Sequence, residues 1–352
     1  MIDLPLARPT LPTTGTSQGV HLVRRRSGSA LVALATSAVL VLTACGSGEG
    51  GDDASTSATP TASESASSTT EPTVPAEIVI GNVSGFTATG AFGEKPVLTF
   101  GSDVAPDGLQ VEVISEGTGP IVGEGAYVQA NYLGQVWGSD NVFDNSYDKG
   151  TPTGFLLSRV VEGWGQGLAG QRVGSRVMLT IPADLGYGPN GGNPDAGIGA
   201  EDVIVFVVDI VEAINLDAVG QADAAPTGAE LPVTYEGALG APVTAVTVAE
   251  GAVEPTELSV TVIATGSGAP LVAGDYVGVQ LAATSWDNTQ FQETWSTAGG
   301  GVQFSTMGQG SVFDSLIGVP AGSRVLLQAA SDAASGSPAV AVVIDVVGAI
   351  SG

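Results

Sequence analysis

Between Tyr132 and Phe206 the chain sets out aromatic and aliphatic residues around a single well-placed carboxylate. The order runs Val142-Phe143-Asp144-Asn145-Ser146, Val160-Val161-Glu162-Gly163-Trp164, Asp184-Leu185-Gly186-Tyr187-Gly188 and Val205-Phe206-Val207. Such a set can bury an apolar ring against aromatic walls and offer it a hydroxyl and a carboxylate. The one histidine, His21, and the one cysteine, Cys45, both lie in the first 45 residues. Beyond them no Ser-His-Asp or Cys-His nucleophile system and no imidazole metal site can be assembled. Most hydrolases and the commonest zinc and iron sites are excluded, and neither a metal nor a cofactor is expected. Carboxylate chemistry and binding by apolar burial remain open.

The elements that must position these residues read as strands. The apolar period is two, rich in Val, Ile and Thr and punctuated by Gly and Pro. The one helix candidate is Trp164 to Gln171, with Trp164 and Leu168 at i and i+4 on one face. The expected fold is α+β, an antiparallel twisted sheet curled around one short α-helix.

The pattern occurs twice. Gly90-Ala91-Phe92-Gly93-Glu94-Lys95-Pro96-Val97 returns as Gly237-Ala238-Leu239-Gly240-Ala241-Pro242-Val243, and Leu109–Ile114 returns as Leu258–Ile263. Tyr127-Val128 returns as Tyr276-Val277, Gly174-Ser175-Arg176-Val177 as Gly322-Ser323-Arg324-Val325, and Phe206–Val211 as Val342–Val347. Matches in the same order argue for a duplicated domain and not for a solenoid of short units. The expected domains are 78–215 and 231–352, joined by a linker at 216–230.

Ahead of them, Arg24-Arg25-Arg26 precedes an apolar run from Ala30 to Leu42 that is short for a membrane span and ends in Leu42-Thr43-Ala44-Cys45. This resembles a bacterial lipoprotein signal at 1–44, with Cys45 as the lipidated N-terminus. Residues 45–77 then form a Ser/Thr/Gly-rich tether with little to bury. The resemblance implies a lipid-anchored protein on the extracytoplasmic face of the cell membrane. The full chain carries 10 basic and 36 acidic residues, a formal charge of -26; without residues 1–44 the counts are 6 and 35. Such a protein is repelled by phosphate backbones, so no nucleic-acid partner is expected.

The order Tyr132, Phe143-Asp144-Asn145-Ser146, Val160-Val161, Gly163-Trp164, Gly167-Leu168, Val173-Gly174, Ile181-Pro182, Tyr187-Gly188 and Phe206 resembles the FKBP-type peptidyl-prolyl cis/trans isomerases over about Leu109 to Ile214. The resemblance implies a cavity lined by Tyr132, Phe143, Asp144, Val160, Val161, Trp164, Tyr187 and Phe206, with Ile198 on the loop over its mouth. It implies that Trp164 forms the floor under the proline ring and that Val160 offers backbone groups. Tyr187 would bond a substrate carbonyl, and Asp144, hydrogen-bonded to Tyr132, would polarise the pocket. Proline-containing exported polypeptides follow as partners, and macrolides as a ligand class.

This sequence departs from the family where Lys149 replaces an arginine, where Thr153 takes an aromatic position with Phe155 nearby, and where 189–200 is Gly-rich and lacks histidine. In the second copy Leu281, Gln292, Val312 and Val342 stand for Tyr132, Asp144, Trp164 and Phe206, with Phe291 matching Phe143 and the Tyr187 loop cut to 333–338. That copy is expected to lack isomerase activity.

Two other patterns carry less. Gly165-Gln166-Gly167-Leu168-Ala169-Gly170 fits the dinucleotide fingerprint but lacks a βαβ context. Asp140, Asp144 and Asp148 miss the EF-hand spacing for calcium. A polypeptide-binding chaperone without turnover is the rival to isomerase activity.

Overall fold

The computed structural model describes residues 79–80, 85–101, 104–334 and 336–352. Cys45, the apolar run before it and the Ser/Thr-rich tether lie outside the described residues.

Two seven-stranded sheets follow one another along the chain. The first contains β1 (Val79–Ile80), β4 (Gln110–Ser115), β5 (Tyr127–Val136), β6 (Val142–Asn145), β7 (Thr153–Leu156), β8 (Arg176–Ile181) and β9 (Ile204–Ile214). Its order is β1-β4-β8-β9-β5-β6, with β7 also on β5. Between β1 and β4 a separate hairpin forms from β2 (Phe86–Thr89) and β3 (Val97–Phe100). The second sheet contains β10 (Ala225–Pro226), β13 (Ser259–Thr265), β14 (Tyr276–Ser285), β15 (Phe291–Glu293), β16 (Gln303–Thr306), β17 (Arg324–Ala329) and β18 (Val340–Ile350). It repeats the order as β10-β13-β17-β18-β14-β15, with β16 on β14 and its own hairpin of β11 (Val233–Glu236) and β12 (Ala245–Val248).

β9 is apolar at nearly every position because both of its faces are covered. Ile204, Phe206, Val208 and Ile210 point to one core, while Val205 and Val207 point to another with Phe86 and Met178. The inner face receives α1 (Glu162–Leu168). The outer face receives the β2–β3 hairpin through Phe86, Leu98 and Phe100, with Trp137 edge-on to both Phe rings. In the second half Val343 and Leu326 likewise pack under Val233, Val246 and Val248.

Three glycines let α1 lie flat. A Cβ on Gly163 would come within 2.5 Å of Ile181, one on Gly165 within 2.9 Å of the Leu157 carbonyl, and one on Gly167 within 2.6 Å of Leu179. In the G-x-G-x-x-G run, Gly165 and Gly167 are therefore packing positions, and Gly170 takes a positive φ of 84° after the helix.

A buried ion pair ties each hairpin to its sheet. Arg176 Nε lies 2.6 Å from Asp209 Oδ1, and the guanidinium also donates to the carbonyls of Gly90 and Glu94. Arg324 repeats this with Asp345 and with the carbonyls of Gly237 and Ala241. The repeated Gly-Ser-Arg-Val and Gly-Ala motifs are thus the two ends of one interaction.

Several expectations need correction. β1 pairs with β4 in parallel, so the first sheet is not wholly antiparallel. α1 spans Glu162–Leu168, starting two residues before Trp164 and ending where Ala169 turns extended at φ -60°, ψ 136°. In the second half the matching segment is a 3₁₀ turn, Val312–Leu316, ended by Ile317 at φ -57°, ψ 129°. The segment 216–230 is structured in part: Ala225–Pro226 pairs with β13. Within 39–352 the two sheets touch through Tyr127 stacked on Tyr276 at 4.1 Å, Phe304 behind it, and buried Ile214, Val302 and Ile350.

Candidate active site

Strand parity places the lining. Val128, Ala130 and Tyr132 of β5 face inward, and β7 pairs Phe155 with Val128 and Thr153 with Ala130, so both also face in. Gly134 pairs with Phe206 on one side and with Asp144 on the other. A bulge between Gly134 and Gln135 inserts Phe143 as an extra residue, which swings its ring over the same spot.

The result is an aromatic box. Trp164, 2 % exposed, is the floor. Phe155 stands edge-on to it at 5.0 Å, Phe206 at 5.6 Å and Tyr132 at 5.8 Å. Phe143 meets Phe206 at 5.5 Å and Tyr187 at 6.5 Å, both edge-on. The Trp164 indole N–H is buried without a partner among the described residues, an orphan donor in the floor.

A polar edge borders the box. The Tyr132 hydroxyl donates to Asp144, whose other oxygen accepts from Lys149 Nζ at 3.1 Å. Lys149 also sits 5.8 Å from the centre of the Tyr132 ring. Burial, then the hydrogen bond and charge of Asp144, push the Tyr132 hydroxyl well above the usual tyrosine range. Burial and the Asp144 charge push Tyr187 up as well. Both hydroxyls are held as neutral donors, and Asp144 already accepts from two groups, so the site is built to bind and polarise.

Tyr187 and Ile198 arrive on residues 182–203, between β8 and β9, where three 3₁₀ turns fold back on themselves. Ile198 is 2 % exposed, and its segment is clasped by the Asn141 amide donating to the carbonyls of Ala196 and Gly197. Val160 and Val161 close the box ahead of α1.

Every residue singled out from the sequence, Tyr132, Phe143, Asp144, Val160, Val161, Trp164, Tyr187, Ile198 and Phe206, meets in this one cluster or its polar edge. Phe155 and Gly134 were missed as site residues. Phe155 was visible only as an aromatic two positions from Thr153, and Gly134 only as the counterpart of Ala283. Two of the three calcium candidates are taken up in ion pairs: Asp144 is engaged as above and Asp148 pairs with Lys95 at 2.6 Å.

The second half keeps the register and loses the box. Leu281 pairs with Ile344 as Tyr132 pairs with Val208, and Ala283 pairs with Val342 and Gln292 as Gly134 pairs with Phe206 and Asp144. Phe291 does not take the place of Phe143. β15 has no bulge, so Phe291 sits opposite Thr284 on the other face, in the register position of Val142.

Comparison with known proteins agrees with this geometry. The profile of the FKBP-type peptidyl-prolyl cis-trans isomerase family matches residues 119–211. The FK506-binding protein of Streptomyces anulatus is 38% identical over 120 residues, which are 34% of this chain and 96% of that protein. The probable FK506-binding protein of Corynebacterium glutamicum is 35% identical over 121 residues, 34% of this chain and 99% of the relative. The isomerase FkpA of Escherichia coli is 34% identical over 136 residues, 38% of this chain and 49% of that protein. With its aromatic box, its Tyr132–Asp144 edge and relatives matched along nearly their whole length, the chain belongs to the FKBP-type peptidyl-prolyl cis-trans isomerases.

Proposed function

We propose that residues 78–215 are the catalytic unit of a folding factor that isomerises X-Pro bonds in exported polypeptides. Cys45 and the tether at 45–77 would hold it at the extracytoplasmic face of the cell membrane, and residues 231–352 would form a second, non-catalytic copy. The aromatic box with two neutral hydroxyls and one fully engaged carboxylate carries the reading.

Rotation about an X-Pro bond must overcome amide resonance, a barrier of about 18–20 kcal/mol. Resonance separates charge, and the twisted transition state separates less. Taking the imide into the box removes water from its carbonyl, which costs the planar form roughly 2–7 kcal/mol when not fully replaced. Lowering the barrier by about 4 kcal/mol gives roughly a thousandfold. Trp164 would seat the ring, Val160 would hold the adjoining backbone, and Tyr187 would bond a carbonyl. Asp144 would orient Tyr132 and bias the local field. No proton has to move.

The test is prolyl isomerisation by the full chain lacking 1–44, beside Trp164→Ala, Asp144→Ala and Tyr187→Phe. All three should lose activity, Trp164→Ala most. An inactive parent that still suppresses aggregation of unfolded protein would favour the chaperone reading instead. Cys45→Ser in the full precursor should move the protein from the membrane fraction to the soluble one, and retention would sink the anchor.

A further inference from the structure

We infer that a cleft along the outer side of α1 is a second subsite, one that takes a cationic residue of the substrate chain a few positions from the proline. This rests on the catalytic assignment above and adds to it a preference the box itself cannot express. The cleft has a volume of about 750 Å³ and is lined in part by Val160, which also packs against the box. A polypeptide whose proline lies on Trp164 would reach the cleft by passing over Val160.

Its lining states the chemistry. Val122 and Leu157 supply apolar wall, and Gly125 leaves the wall low. The charged residues lining it are Glu124 and Glu162, the latter also accepting from Gln166 Nε2 at 2.8 Å, and among the described residues no lysine or arginine lines it. Arg159 lines the smaller cleft on the other side of Val160, and Arg172 is drawn to Glu116 at 3.5 Å. A lysine or arginine stem can lie along half-buried Val160 and Ala169 while its head reaches the two carboxylates. The net charge of the chain repels acidic segments from the same place. A second copy of this protein and its own tether, with Glu49, Asp52, Asp53, Glu64, Glu71 and Glu77 and no base, are both disfavoured occupants.

The experiment compares a short proline tetrapeptide with two longer series carrying Lys or Glu at each of four positions before or after the proline. The full chain lacking 1–44 is assayed with Glu124→Lys and Gln166→Lys. Lysine at one or two positions should lower KM by about two- to fivefold, the scale of a partly exposed charge pair. That advantage should vanish in both variants and in 0.5 M salt, with kcat and tetrapeptide turnover unchanged. Equal KM for Lys and Glu at every position, or a lysine advantage that survives both variants, would overturn the subsite. Loss of tetrapeptide turnover in the parent would instead strike the catalytic reading.

Discussion

Gly134→Ala is the sharpest perturbation of the box. A methyl built there would lie 2.5 Å from Phe206 Cε1 and 2.7 Å from Phe143 Cε2 and Cζ. Non-bonded carbons rest about 3.5–4.0 Å apart, so both rings must retreat by about 1 Å. Overpacking of this kind costs about 1–3 kcal/mol, partly offset by about 0.5–1 kcal/mol because alanine suits a strand better than glycine. The larger effect falls on rate, since a displacement near 1 Å at a reacting site can lower it about 100-fold. Urea unfolding and prolyl isomerisation should therefore diverge: a modest stability loss with a loss of kcat/KM of one to two orders of magnitude. The second half supplies the compensation to try, because Ala283 is tolerated opposite Val342. Gly134→Ala with Phe206→Val should regain stability and remain inactive. Full activity in the single variant, or recovery of activity together with stability in the double, would refute Phe206 as a pocket wall.

Breaking the buried ion pairs tests the scaffold. Arg176→Met leaves Asp209 charged and buried and should cost about 3–5 kcal/mol in urea unfolding, since Asp209 also accepts from Gly93 and Tyr147; an unchanged midpoint would sink this. Alkaline pH tests the tyrosines. Tyr132 and Tyr147 titrate above their ordinary 10.0 in the folded state, mainly through burial and then through Asp144 and Asp209. A group raised on folding contributes stability that is whole below its unfolded pKa and lost as pH climbs toward the folded one. Urea midpoints should hold from pH 7 to 9 and fall above 10, and Tyr147→Phe should flatten that fall; a midpoint level to pH 11 contradicts it.

The box was legible in the sequence because its members are rare types in a fixed order, and strand parity then had to bring them to one face. What escaped depends on backbone detail that residue types do not encode. The bulge at Gly134 decides that Phe143 turns inward, and its absence from β15 decides that Phe291 does not. The pairing of Phe155 with Val128 sets an aromatic wall that counting from Thr153 misplaces. The repeated Gly-Ala segment was visible as a repeat, but its purpose needed the carbonyls of Gly90 and Gly237 to be seen on two buried arginines. Four-residue strands carry too little periodicity to announce which face of a sheet they cover.

The duplication separates what the scaffold requires from what the box requires. Register, hairpin and buried Arg–Asp pair recur in both halves, so their residues answer to folding. The differences gather on the inner face. Trp164 at 2 % exposure gives way to Val312 at 38 %, Gly134 to Ala283, and the 22 residues at 182–203 to 10 at 330–339. These changes depend on one another. Without a large ring at 342 nothing needs a glycine at 283, and without rings to cover, the long clasped loop has nothing to seal. A sheet that folds around Leu281, Val342 and Leu316 shows that the aromatic box is not a condition of the fold. Residues 132–206 therefore hold an arrangement that packing alone does not demand, and it is that surplus which the isomerase reading explains.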